Sequence, residues 1–262
     1  MTRYAILYRH FLIQHLKTYL EYRWNFIIGA SSTFVEHAAR LFAIWVVIRQ
    51  IPSLGGWSFD ELLFLYGLVT AARSIEHTFA NNLWRIGHAY IRNGDFDRFL
   101  VRPINPLFHL LADQFNHDGI GNLLMGIGLM VKSSLALGLE WTFFKLVFVV
   151  IAVLAGGLIF ISLNLITATS AFWIIESTPV TLAIFELHEF SRYPLSMYGN
   201  VVAGLLTWVI PYGLAAFYPA MFLLGCEVGW LAFASPIMAI MLFVVAYQVW
   251  QIGLRHYQGT GS

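Results

Sequence analysis

The chain has 262 residues, of which 59% are hydrophobic and 11% charged, and its net charge is +1. A soluble domain carries about twice that share of charge, and a balance this close to neutral excludes a polyelectrolyte binder. The single cysteine, Cys226, excludes an internal disulfide and any multi-cysteine metal site. A hydrocarbon core about 30 Å thick is crossed by roughly 20 helical residues, and long apolar stretches supply several such lengths. The chain therefore reads as one all-α polytopic membrane domain, 1–262, with six transmembrane helices.

In chain order, residues 1–23 come first. Tyr4, Tyr8, Phe11, Leu12, Leu16 and Tyr19 recur at steps of three and four, with Arg9, Gln14 and Lys17 on the other side. A basic amphipathic helix of this kind lies along the membrane surface. The alternative is a helix packed on another cytoplasmic element, of which the sequence offers little.

The first span is expected over Trp24–Arg49. Gly29-Ala30-Ser31-Ser32 imitates a cleavage site, but the apolar run continues past it, so the span reads as a retained signal anchor. Glu36, His37 and Arg40 sit near its middle, as Arg73, Glu76 and His77 do in the second span, Phe59–Leu83. Each charged residue at a helix centre costs about 2.5–3.5 kcal/mol, so Glu36 and Arg40 together cost roughly 5–7 kcal/mol. The apolar neighbours offset about 4–8 kcal/mol, leaving marginal insertion unless the charges face the bundle interior and are paired. Glu36 with Arg40 stands at i, i+4 and Arg73 with Glu76 at i, i+3, so each pair can close within its own helix, or adjacent helices can exchange partners. These six residues read as a polar clamp between two helices, as a polar surface along a translocation path, or as a proton relay through His37 and His77.

Between the second and third spans lies the loop 84–118. Asn93-Gly94 is a turn signal. Asp95 is the expected N-cap of a short helix, Phe96-Asp97-Arg98-Phe99-Leu100-Val101-Arg102, which Pro103 stops. Phe96, Phe99 and Leu100 share one face. An apolar face ringed by Asp95, Asp97, Arg98 and Arg102 in a loop suggests either a docking knob for another protein or contact with the bilayer surface. His109, Asp113, Asn116, His117 and Asp118 crowd the entry to the third span. They read as a cap and hydrogen-bond network, with an acid–base or metal site at His109 and Asp113 as the alternative; no nucleophile elbow, H-E-x-x-H or paired-cysteine motif accompanies them.

The remaining spans are expected at Gly119–Leu137, Phe143–Trp173, Val201–Leu224 and Trp230–Trp250. A continuous helix over 143–175 would measure roughly 50 Å at 1.5 Å per residue, so it must tilt, break near Asn164–Ser170 or project beyond the membrane. Glu186, His188, Glu189 and Arg192 suggest a second cytoplasmic or interfacial helix. Pro211 and Pro219 make 211–227 either a kinked span end or a re-entrant element.

Topology follows from charge. Arg3, Arg9, Lys17, Arg23, Arg85, Arg92, Arg98, Arg102, Arg192 and Arg255 gather on one side, against Arg49, Lys132 and Lys145 on the other. Lys and Arg concentrate in cytoplasmic loops, which places both termini and the 84–118 loop in the cytoplasm of a plasma membrane, the inner membrane of a bacterium. Trp24, Trp57, Trp84, Trp141, Trp230 and Trp250 fall at span ends, where amphipathic rings favour the headgroup zone.

Asn93-Gly94-Asp95-Phe96-Asp97-Arg98-Phe99-Leu100-Val101-Arg102-Pro103, followed by Ser170-Ala171-Phe172-Trp173, Tyr193-Pro194-Leu195-Ser196 and Tyr218-Pro219-Ala220, resembles the permease subunits of ABC-2 type ABC transporters, in the branch of small six-span permeases. The resemblance runs over nearly the whole chain. It implies an N-terminal interfacial helix, a coupling helix at Phe96–Arg102 that docks a cytoplasmic ABC ATPase, and an outer re-entrant element before the last span. No G-x-x-x-x-G-K-[ST] motif occurs, so ATP and magnesium would be held by that separate ATPase and no cofactor by this chain. A second permease, identical or homologous, would complete the pathway among membrane lipids. The leading expectation is thus a non-catalytic half of an exporter of amphiphilic or polymeric substrates. The others are an autonomous secondary transporter or channel using the buried Glu, His and Arg groups, and a membrane enzyme using His109 and Asp113.

Overall fold

The computed structural model describes residues 2–21, 23–50, 55–174 and 177–257. The side chains of Arg3, Leu16, Tyr19, Arg23, Trp24 and Arg49, and all of Glu176, lie outside the described residues. Among those described, the secondary structure is helical and no strand occurs. The α-helices are α1 (Thr2–Glu21), α2 (Arg23–Gln50), α3 (Phe59–Phe79), α4 (Asp97–Leu100), α5 (Pro106–Ala112), α6 (Asp118–Leu137), α7 (Phe143–Thr169), α8 (Thr178–Leu187), α9 (Asn200–Gly204), α10 (Tyr218–Leu223) and α11 (Ser235–His256).

Local chemistry sets the boundaries. The Ser58 hydroxyl accepts from the Glu61 amide, and the Glu61 carboxylate accepts from the Ser58 amide at 2.7 Å, a reciprocal cap that starts α3. Thr142 caps α7 by accepting from the Lys145 amide. Gly138, at φ 63°, ends α6 in the left-handed conformation that an unbranched backbone tolerates.

The bundle is organised around α3, which is buried continuously from Leu62 to Ala72. Helices α6 and α7 flank it, and α11 packs on α7. The α3–α6 contact is close because it is made by glycine. A Cβ on Gly126 would lie 2.6 Å from the Ala71 amide nitrogen, and one on Gly119 would collide with Thr78. Membrane helices approach in this way through small residues, since lipid supplies no hydrophobic drive for association.

By length and composition, three helices among the described residues can cross a membrane: Asp118–Leu137, Phe143–Phe172 and Ser235–His256. The bent pair Asn200–Val209 and Gly213–Leu223, angled at 80°, is a fourth candidate or a re-entrant loop. Helices α2 and α3 stand outside that set; at 28 and 21 residues they are long enough, and they carry the charges that the sequence placed at mid-span.

Contacts fix the course of residues 185–197. Phe185 meets Trp84 edge-on at 4.7 Å, His188 accepts from Arg73, the Arg192 guanidinium lies 5.3 Å over the Tyr66 ring, and Gly55 abuts Met197. Residues 185–197 therefore run antiparallel to α3 from one end to the other. This segment, which includes a 3-10 turn at His188–Arg192, runs along the bundle beside α3 rather than standing as a separate helix. The expected span Val201–Leu224 coincides with the bent pair, broken at Ile210–Pro211 where a kink or re-entrant element was expected, and its arms meet where Thr207 and Tyr218 hydroxyls hydrogen-bond at 3.1 Å. Of the tilt, break or projection open to the fourth span, no sharp break occurs: α7 and the 3-10 turn at Ser170–Phe172 together form one 30-residue candidate span, Phe143–Phe172.

Two further expectations change. Tyr4 and Tyr8 of α1 pack against Phe108 of α5, and Phe11 against His109, so the amphipathic helix has protein beneath it after all. Ile6 and Ile13 remain exposed and keep an apolar strip available for a membrane surface. Of the tryptophans read as an interfacial belt, Trp141 and Trp230 are exposed, whereas Trp57 packs on Phe217 and Trp250 is wholly buried.

Candidate functional site

The loop after α3 is a compact unit. A 3-10 turn over Asn81–Arg85 and a π-helical turn over Ile86–Ile91 lead to Asn93-Gly94, where Gly94 takes φ 75°. That conformation disfavours any residue with a Cβ. The turn brings the Phe96 amide to the Tyr90 carbonyl at 3.0 Å and starts α4. Phe96 is the N-cap residue and makes no side-chain cap; Asp95, the expected cap, lies in the preceding turn and is exposed. The chain then turns at Pro103, and Asn105 caps α5 by accepting from the Phe108 amide at 3.1 Å.

The apolar face of this short helix points inward. Phe96 and Phe99 are 0% exposed. Phe96 packs on Phe172 at 5.1 Å, Tyr257 at 5.0 Å and Trp250 at 6.2 Å, and Phe99 on Tyr90 at 5.1 Å and His109 at 4.9 Å, with edge-to-face geometries that suit aromatic quadrupoles. The docking knob expected at Phe96 and Phe99 is thus an anchor, because the ends of α7 and α11 supply the cover that the local sequence lacks. What faces outward is Asp95, Asp97, Arg98, Leu100 at 42% exposure, Val101 at 79% and Arg102.

Polar groups complete the loop's attachment. Arg98 pairs with Asp113 at 2.7 Å while its guanidinium covers the Tyr90 and Phe99 rings. Asn82 donates to the Leu110 carbonyl and accepts from Tyr90, both at 2.7 Å. Asn105 donates to the Tyr247 hydroxyl of α11. Arg102 donates to His109 Nε2 at 3.2 Å, so His109 and Asp113 are each held by an arginine and form no acid–base pair. Burial, then the Arg102 charge, lowers the His109 pKa, with Asp113 opposing. No group of three or more His, Cys, Asp or Glu residues suited to a metal ion occurs among the described residues.

The second candidate site lies between α2, α3, α6 and the 185–192 segment. The expected helix-internal pair Glu36–Arg40 forms at 2.8 Å, but Arg40 also binds Glu189 at 2.7 Å, and Glu36 is 59% exposed rather than turned inward. Arg73 and Glu76 stand 3.9 Å apart, and Glu76 accepts a shorter bond from Asn164 at 2.6 Å. Arg73 also donates to His188 and lies 4.6 Å over Phe185. Arg192 reaches both Glu189, at 3.0 Å, and His188. Among the described residues, α2 and α3 do not exchange charges directly; His188, Glu189 and Arg192 join them. These three residues are what sequence reasoning assigned elsewhere. The available signal was charge balance, since Arg40 and Arg73 both need acceptors beyond their own helices.

The histidines take separate partners. His37 lies 2.7 Å from the Tyr66 hydroxyl through Nδ1 and 3.0 Å from Asn122 Oδ1 through Nε2, so Nε2–H donates to Asn122 and Nδ1 accepts from Tyr66. His77 bonds Asn116 at 3.0 Å. Glu36, His37, Val69, Thr70, Arg73, His77, Asn122, Phe185 and Arg192 enclose a cavity of about 180 Å³.

With this geometry established, the comparisons can be stated. The family model described as ABC-2 family transporter protein matches residues 34–261, nearly the whole chain. Neither a comparison with curated proteins nor one with solved structures returned a match.

Proposed function

This chain belongs to the ABC-2 family of transporter proteins, and from that membership we propose that it is the membrane-embedded permease half of an ATP-driven exporter, docked through its 84–118 loop to a separate ABC ATPase. The observation that carries the reading is the attachment of this loop. Its buried aromatics grip Phe172 beyond α7, and Trp250 and Tyr257 at the end of α11. A displacement of the loop would therefore be transmitted to two long helices. Its outward face offers Leu100 and Val101 within a ring of Asp95, Asp97, Arg98 and Arg102, an apolar centre with a charged rim of the kind interfaces use.

In this reading the loop and both termini face the cytoplasm, where the Lys and Arg excess belongs. ATP and magnesium are held by the ATPase. Two permeases, identical or homologous, enclose the path. The alternative of an autonomous transporter gains nothing from the histidines, since no described hydrogen bond links His37 to His77.

The test is recruitment. Leu100→Asp combined with Val101→Asp alters only exposed positions and should shift unfolding stability by no more than about 0.5 kcal/mol for each change. The same variant should lose co-purification with the cognate ATPase. Recruitment at the wild-type level would remove this loop from the docking role.

A further inference from the structure

We propose that the 180 Å³ cavity between α2, α3, α6 and residues 185–192 receives the anionic headgroup of an amphiphile. This deepens the transport assignment and rests on it, by naming the substrate class. Four features point to it. The lining carries two guanidinium groups, Arg73 and Arg192, against one carboxylate, Glu36; Glu36 is held by Arg40 at 2.8 Å, Arg192 binds Glu189 at 3.0 Å outside the lining, and Arg73 stands a longer 3.9 Å from Glu76. The Arg192 side chain is 9% exposed, and its Nε has no hydrogen-bond partner among the described residues. A buried N–H left unpaired is costly, and a charged one more so. A headgroup oxygen would satisfy it with a charge-assisted bond. Thr70, Asn122 and His77 line the same space and offer further polar contacts.

Size and surroundings select an amphiphile over a bulkier ligand. A cavity of about 150 Å³ takes a small organic molecule, so 180 Å³ holds a phosphate or carboxylate headgroup and little more. Glu36 forms an exposed rim, and beside it α2 presents Phe34, Val35 and Phe42 outward, an apolar strip along which a hydrocarbon tail can lie.

The experiment is equilibrium binding to the full chain in phosphatidylcholine nanodiscs, corrected for empty nanodiscs, with radiolabelled dodecyl phosphate, dodecyl maltoside and inorganic phosphate as probes. Dodecyl phosphate should bind saturably, on the order of tenfold or more tighter than either other probe, and Arg192→Gln should weaken it by about tenfold or more. Equal binding of dodecyl maltoside overturns the proposal. Equal binding of inorganic phosphate also overturns it, by showing a site for a free anion without a tail. Unchanged binding in a folded Arg192→Gln overturns it too. If that variant fails to fold, the ratio among the three probes on the wild-type chain decides. No ATPase enters the assay, so the outcome is independent of whether the 84–118 loop recruits one.

Discussion

The loop 84–118 and the polar junction at His188–Arg192 both join distant parts of the chain, but the first does so through packed rings and the second through shared charges around a cavity. In the loop, aromatic rings fill the space around Phe96 and Phe99; Tyr90 pairs with Asn82 and Arg98 with Asp113 beside them, while Trp250 Nε1 and His109 Nδ1 have no hydrogen-bond partner among the described residues. At the junction, three arginines and three carboxylates are linked by long or shared contacts around a cavity, and Arg192 Nε is left over. A dry aromatic contact transmits displacement because close-packed interiors deform little. A polar site with spare hydrogen-bonding capacity can exchange partners when a ligand arrives. Under the proposed function, the first region suits force transmission and the second suits ligand response.

The sharpest way to break the comparison is at the anchor. Replacing a buried Phe by Ala costs about 3–5 kcal/mol; the two rings are in contact at 5.7 Å, so their costs do not simply add, but Phe96→Ala with Phe99→Ala should still remove a large part of the roughly 5–15 kcal/mol stability of a typical protein. Fluorescence-detected size exclusion should show little monodisperse protein. A well-folded double variant would mean that these rings are not the anchor and that the exposed-knob expectation was right.

The junction is tested by two carboxylates of unequal standing. Glu189 serves Arg40 and Arg192 together and sits beside His188, while Glu36 serves only Arg40 from an exposed position. Stranding buried charge costs about 3–5 kcal/mol, and the partial exposure of Glu189 reduces this to about 2–3. An exposed pair contributes about 0–1 kcal/mol. Thermal unfolding should therefore rank Glu189→Gln well below Glu36→Gln. Equal effects would place the centre of the network back on α2.

Much of this was legible in the sequence, and the failures share a cause. The bounds of α2, α3, α6 and α7 follow from apolar runs and caps, and the turn at Gly94 from its dipeptide. Periodicity showed that Phe96 and Phe99 share a face, but not what covers it, because Phe172, Trp250 and Tyr257 arrive from far along the chain. The 185–197 segment was misplaced because Glu186, Glu189, Arg192 and Pro194 interrupt its apolar run, and their partners lie on other helices. In 201–224, by contrast, the break at Ile210–Pro211 carries a local signal, since Pro211 already marks a kink or re-entrant element. Long-range partners decide the first two cases, and local patterns do not contain them.

The smallest expected effect sharpens the comparison from within the loop. His109 lies between the Phe99 ring and Arg102, with Asp113 nearby. Burial, then the Arg102 charge, keeps its folded pKa below the ordinary histidine value of about 6.5. Above about pH 6.5 the imidazole is neutral in both states, and the stabilisation is fully present. As pH falls through the window between 6.5 and the folded pKa, the unfolded loop takes up a proton that the folded loop refuses, so stability declines with falling pH. Hydrogen exchange of loop amides between about pH 5 and 7, corrected for the intrinsic exchange rate, should show protection weakening toward the acid side in the wild-type chain. His109→Gln should flatten that dependence while leaving protection near pH 7 largely intact. The same slope in both proteins would assign the acid sensitivity to another group and leave His109 as a packing residue beneath Arg102.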